Sequence, residues 1–347
     1  MQLADYVILC RKVDMAKCPV VLIVLLVVPV LTGGCGPVEP ELAESAEGEV
    51  LSLEPADVEP DKAEPVEVES IEPEANDVEP GNIEPNDSES RPSVSFHDKC
   101  VDILKNFVND EGMVDYKKLR RKRYELRVLL DEFAKLDPAE YESWLQEDKI
   151  AFWINAYNLQ KLRVVADNYP IRPSSRILAV YWGPFNVRHI EGKISKHKFL
   201  VMDEQFTFAE IQRRVFREQF NDPRIFLTLT SASLSSPPLR NKPYRGHNLS
   251  EQLDSQTSRF LSSPLAFKID REKQRVYLSS VFELSSHGKD FAGKFATDKK
   301  FKDQPPTTRA VLNFITNYIP RQDVSFLEVG DYSVKYMKHD WTINDGS

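Results

Sequence analysis

Seven Glu-Pro dipeptides, from Glu39-Pro40 to Glu84-Pro85, divide this chain into a part that can fold and a part that cannot. Residues 36–92 hold 19 Asp and Glu against Lys62 and Arg91, a balance of −17. Proline denies the segment a helix and the charge repels itself, so too little apolar surface can be buried to offset chain entropy. The segment reads as a disordered stalk biased to extended polyproline II, reaching about 3.1 Å per residue. The overall charge of −9 therefore describes the stalk, because residues 93–347 carry 40 Lys and Arg against 33 Asp and Glu, or +7. A remainder of about 255 residues can bury most of its unfolded surface without staples.

Ahead of the stalk stands an apolar run, Val20 to Leu31, preceded by Lys17 and followed by Thr32-Gly33-Gly34-Cys35. A basic start, a 12-residue apolar run and small residues before a cysteine form the secretory pattern. The run is short for a transmembrane helix, which needs about 20 residues. The segment resembles the lipobox of bacterial lipoproteins, with Thr32 where leucine is usual and Leu31 one position further back. The resemblance implies lipidation of Cys35, removal of what precedes it, and a lipid-anchored extracytoplasmic protein of the bacterial envelope, periplasmic or surface-facing. Met15 makes a more ordinary signal start than Met1. The expected organisation is thus a signal at 1–35, an acidic linker at 36–94 and one globular domain at 95–347.

With Cys35 lipidated and Cys10 and Cys18 in the signal, Cys100 is left alone. No internal disulfide and no cysteine-based zinc site follows, and no metal or cofactor is expected. Within the domain, Val101, Leu104, Phe107 and Val108 suggest a helix, and Leu126, Leu129, Leu130, Phe133 and Leu136 a clearer one. A third helical region runs from Ile150 through Val165 and ends before Pro170. Thr207-Phe208-Ala209-Glu210 has capping-box spacing and should open another helix. Asp222-Pro223-Arg224 reads as a turn into a strand at 225–230, followed by a serine- and proline-rich loop at 231–239. Beyond it the sequence predicts a helix over 251–262, a hairpin around Asp270–Lys273, a helix over 307–318 and a last hairpin near 326–336. Helices and strands mix without βαβ alternation, so the fold class is α+β: one domain of helices on a small mixed or antiparallel sheet.

Several segments taken in order resemble the family known only as domain of unknown function 547. They are Lys149–Asn158, Trp182–Val187, Phe220–Ile225, Pro237–Asn241, Asp290-Phe291 and Asp340–Asn344, and the resemblance runs from about Glu111 to the end. It carries no assigned activity. The departures concern reactive residue types. An arginine, an apolar residue and a histidine are usual where this chain has Arg224-Ile225-Phe226. Two customary cysteines fall at Ser231 and Ser236, and a usual Glu-His pair falls at Gln212-Arg213. An aromatic pair before Asp290-Phe291 is replaced near Leu284–His287.

A cysteine with a histidine and an orienting acid or amide would suit nucleophilic catalysis, because imidazole deprotonates and orients the thiol. Those groups are substituted together here. A serine hydroxyl is far less acidic and needs a positioned base, so the weak catalytic candidates are Ser236 or Ser231 with His287 beside Asp290. Asn155 and Asn158, three apart on a helix, share a face; they either tie a loop backbone or hold a ligand with Ser233. Arg224 should pair with an acid such as Asp290 or Asp340, with anion binding the other reading. Trp153 and Trp341 read as core anchors. Lys and Arg are scattered and form no nucleic-acid motif. The expectation is an envelope lipoprotein, leaning away from an enzyme, that binds or scaffolds. Its partners would be a membrane, through the lipid, and anionic envelope polymers. The alternative is an envelope hydrolase or acyltransferase with a Ser236 or Ser231 nucleophile.

Overall fold

From Ile150 to Ala166 only Arg163 is not buried, so the helix Gln146–Asp167 is enclosed on every side. A helix buried all round must sit inside a protein of some size, and this one is the axis of the fold. Glu147 and Asp148 in its first turn complement the positive end of the helix dipole. The computed structural model describes residues 94–283 and 286–347, with side chains described from Lys99 onward. The export signal, Cys35 and the acidic stalk lie outside the described residues. Among those described, no helix is long and apolar enough to cross a membrane.

The amphipathic helix Arg123–Lys135 lays Leu126, Leu129, Leu130 and Phe133 on this axis, as their spacing predicts. Strands β1 (Phe199–Val201) and β2 (Glu204–Phe206) form a small antiparallel hairpin beside it. Thr207 and Glu210 complete both halves of a capping box: Glu210 N–H donates to Thr207 Oγ1 at 3.2 Å, and Thr207 N–H to Glu210 Oε2 at 2.7 Å. The helix so opened widens into π-helical turns over Ile211–Phe220.

The strand expected at 225–230 is not one. Asp222 caps a short 3₁₀ helix, Pro223–Leu227, with Pro223 in its first turn. The polar backbone beyond it is met by side chains instead of a neighbouring strand. Asn158 Nδ2 donates to Thr228 O at 2.9 Å, and Thr230 N–H donates to Asn158 Oδ1 at 3.0 Å. A single asparagine stands in for a ladder partner, which residue-type preference cannot reveal.

A second apolar cluster lies around the mixed sheet β3 (Phe267–Asp270), β4 (Arg275–Ser279) and β5 (Ser333–Met337). Strand β4 is central, antiparallel to β3 and parallel to β5. Val276 and Leu278 face helices Gly288–Phe295 and Pro306–Ile315, whose Phe291 and Phe314 rings meet at 4.8 Å. The hairpin expected near 326–336 is instead a helix, Arg321–Val329, followed by β5. Helical spacing through Leu327 governs the first part, and the alternation belongs only to 333–337. The architecture is a single α+β domain.

After β5 the chain crosses back to the helical half. Leu234 N–H donates to Thr342 O, Asn344 N–H to Ala232 O, and Ile343 N–H to Phe185 O, at 2.9, 3.1 and 2.9 Å. This C-terminal tail therefore fastens the serine loop and the segment 183–187 to each other.

Candidate functional site

Between the serine loop, the tail and the end of β4 lies a cleft of about 490 Å³. Its floor is the serine loop, and the loop's shape is forced. Ala232 adopts φ +61°, a left-handed conformation rare for a residue with a Cβ, and is fully buried. Its N–H donates to Thr230 Oγ1 at 3.0 Å, which helps hold the turn. The turn aims Ser231 into the cleft and tucks Ser233 behind it.

Ser233 Oγ lies 2.8 Å from Ser231 Oγ and 2.8 Å from Nε2 of His339. On the far side of the imidazole, Nδ1 faces Ser280 Oγ at 3.4 Å. The ring lies against Trp341, with centroids 4.2 Å apart. Burial drives the His339 pKa down to about 4, the nearby Arg188 charge adds to the fall, and Asp340 opposes it. His339 is thus a neutral hydrogen-bonding group at pH 7.

Ser236 also lines the cleft, but its hydroxyl donates to Ser233 O at 2.9 Å. No hydrogen bond joins His287 to Ser236 or Ser231 among the described residues. His287 is held elsewhere: its ring stacks on Phe226 at 4.2 Å and 17°. Its Nδ1 lies 3.1 Å from Arg217 Nη2 and 3.3 Å from Asp290 Oδ2, while Arg217 clasps Asp290 through both carboxylate oxygens at 2.8 and 3.1 Å. Burial pulls the His287 pKa below its usual value, with Asp290 opposing and Arg217 reinforcing. Phe226 is a stacking surface for His287. Gln212 donates to the buried Tyr157 hydroxyl at 2.8 Å, and Arg213 is an exposed partner of Glu218.

The cleft wall carries a cation that sequence reasoning missed. The Arg188 guanidinium sits 5.1 Å from the Trp341 ring centre and 5.9 Å from that of Trp182. No carboxylate pairs with it among the described residues. Stacking on aromatic faces orients a guanidinium while leaving its N–H groups available. Lys338 and Glu283 also line the cleft. Trp341 is therefore half-buried cleft wall and not the core anchor expected, whereas Trp153 is core, with Nε1 donating to Tyr141 at 2.8 Å.

Other sequence candidates fall outside the cleft. Asn155 and Asn158 are buried, and each spends donor and acceptor on backbone, Asn155 on Tyr244 O and N–H at 2.9 Å each. Arg224 pairs with Asp222 and Asp254, each at 2.8 Å, not with Asp290 or Asp340; Arg217, from the π-helical segment, takes Asp290. No cluster of three or more metal-ligating side chains occurs among the described residues. His339, Arg188 and Ser280 lie far apart in sequence. The one signal for His339 was its place beside Asp340-Trp341.

Residues 141–261, about a third of the chain, match the family described as Protein of unknown function, DUF547, and this stretch is similar to that domain. The match takes in the central helix, Arg188 and the serine loop, while His287, Asp290, His339 and Trp341 lie beyond it. No curated protein and no solved structure matches the chain.

Proposed function

We propose that this is a cell-envelope lipoprotein whose DUF547 domain is a binding module, holding a small anionic, hydroxyl-bearing molecule in the cleft. The observation that carries the reading is Arg188: a guanidinium oriented by two indole rings, without a carboxylate partner among the described residues, on the wall of a concave site. Such a fork matches a carboxylate or phosphate in two-point geometry. The hydroxyls of Ser231 and Ser280 and the amide of Gln212 supply further hydrogen-bonding groups. The envelope address rests on the Val20–Cys35 pattern alone.

The test is a thermal-shift and calorimetric titration of the full chain with succinate, glucuronate and inorganic phosphate. At least one should raise the melting temperature as mass action requires, and Arg188→Gln should remove the shift. No shift with any of the three, or a shift that survives Arg188→Gln, overturns the reading.

A second reading rests on the relay from Ser231 through Ser233 to His339. The Ser231 hydroxyl proton would pass to Ser233 as the Ser233 proton passes to Nε2, freeing Ser231 Oγ to attack a carbonyl carbon. A base whose pKa is about 4 is poorly matched to that task near neutrality, which places binding first.

A further inference from the structure

The short helix Arg176–Trp182 buries none of its residues, though its sequence is Arg-Ile-Leu-Ala-Val-Tyr-Trp. Ile177, Val180 and Tyr181 are 81, 90 and 79 % exposed, and Phe185, just past the helix, is 62 % exposed. Spacing of three and four residues places the first three on one face. This is a contiguous apolar tip on a protein with ample core, the kind of exposure that marks an interaction surface.

The tip is held rigidly. Ser175 caps the helix by accepting from Leu178 N–H at 3.2 Å. At the other end Gly183 takes φ +83°, a left-handed turn that glycine adopts without strain. His189 Nε2 donates to Gly183 O at 2.8 Å, and Asn186 Nδ2 donates to Trp182 O at 3.0 Å. Val187 N–H and Phe185 O both bond the C-terminal tail at 2.9 Å.

Charge decides what the tip meets. Residues 172–198 carry six Lys and Arg (172, 176, 188, 193, 196 and 198) against one carboxylate, Glu191. None of the six forms an ion pair among the described residues. Aliphatic and aromatic side chains flanked in sequence by cations outside ion pairs have the composition of an interfacial membrane element: apolar groups enter the headgroup boundary, and Lys and Arg attract anionic lipid. We propose that the 176–185 tip docks the domain onto a bilayer surface containing anionic lipid. Because Arg188 bridges Trp182 and the cleft tryptophan Trp341, docking sets the cleft mouth beside the lipid headgroups. This holds whether or not Cys35 is lipidated and whatever occupies the cleft.

The experiment is hydrogen–deuterium exchange on the full chain with vesicles of phosphatidylethanolamine and phosphatidylglycerol (7:3), with phosphatidylcholine vesicles, and without lipid. Exchange over 176–185 should slow about fivefold or more only with phosphatidylglycerol, and recover in 0.5 M salt. The double variant Val180→Asp/Tyr181→Ser should exchange at the lipid-free rate while keeping the wild-type melting temperature. Equal protection by both vesicle types, persisting in salt and in the variant, would mean that an N-terminal anchor alone binds the membrane. Protection without lipid that grows with protein concentration would mean that a second copy covers the tip. Either result, or unchanged exchange throughout, overturns the proposal.

Discussion

The serine loop and the 176–185 tip are fastened to the same C-terminal tail, yet they invert the usual burial rule in opposite directions. In the loop, Ser233, Ser235 and Ser236 are buried polar groups, each with a hydrogen bond. In the tip, Ile177, Val180 and Tyr181 are apolar groups left in solvent. Buried polar groups and exposed apolar patches are the informative departures from a generic globule. The loop's departure is compensated within the fold, because every hydroxyl finds a partner. The tip's is not, and points outward. Internal compensation makes the loop sensitive to substitution for stability, whereas the tip can change at little cost to folding.

The largest effect should come from Asn158, which carries the backbone leading into the loop. Asn158→Ala leaves Thr228 O and Thr230 N–H buried and unpaired, so it should cost about 3 kcal/mol in denaturant unfolding. A loss no larger than that of a surface change would break the claim that the loop is compensated from within.

Lys161 sharpens the polar side of the comparison. It is 6 % exposed and has no carboxylate partner among the described residues, its ammonium lies 3.8 Å from the Phe208 ring centre, and burial lowers its pKa to about 7. Below about pH 7 both folded and unfolded chains carry the charge, and the folded state bears its full desolvation. Between about 7 and the ordinary lysine value of 10.5 the unfolded chain holds the extra proton, so this group makes stability rise with pH. Lys161→Met should stabilise the protein at pH 6 by about 2 kcal/mol and flatten the rise of melting temperature from pH 6 to 9.

Ser233→Ala removes the hydrogen bond to His339 Nε2 and should cost about 1 kcal/mol. His339 itself gives an acid-side slope. The unfolded ring gains its proton near 6.5 and the folded ring only near 4, so stability falls as pH drops through that window. His339→Gln should reduce the slope, seen as melting temperatures at pH 7 and 4.5. The smallest effect belongs to the tip: Val180→Asp should shift stability by less than about 0.5 kcal/mol.

What was legible in the sequence follows the same division. The amphipathic helix at 126–136, the Thr207–Glu210 cap and the hairpin at 270–273 were readable because spacing of a few residues fixes them. The 225–230 segment was misread because its backbone partner is Asn158, some seventy residues earlier. The serines of the site were found, but their histidine was sought at His287, next to Asp290 in sequence. The tail instead brings His339 to the loop across more than a hundred residues. Arg188 carries no motif of its own and acquires meaning only between the nearby Trp182 and Trp341, which the distant C-terminal tail contributes.

The central claim is that the cleft binds and does not react. Incubating the full chain with a fluorophosphonate probe between pH 7 and 9, followed by peptide mass spectrometry, tests it most directly. With His339 neutral and weakly basic, no serine should be labelled at either pH. Stoichiometric label on Ser231, abolished by Ser231→Ala and by His339→Gln, would contradict the account and make the Ser231–Ser233–His339 relay a catalytic one.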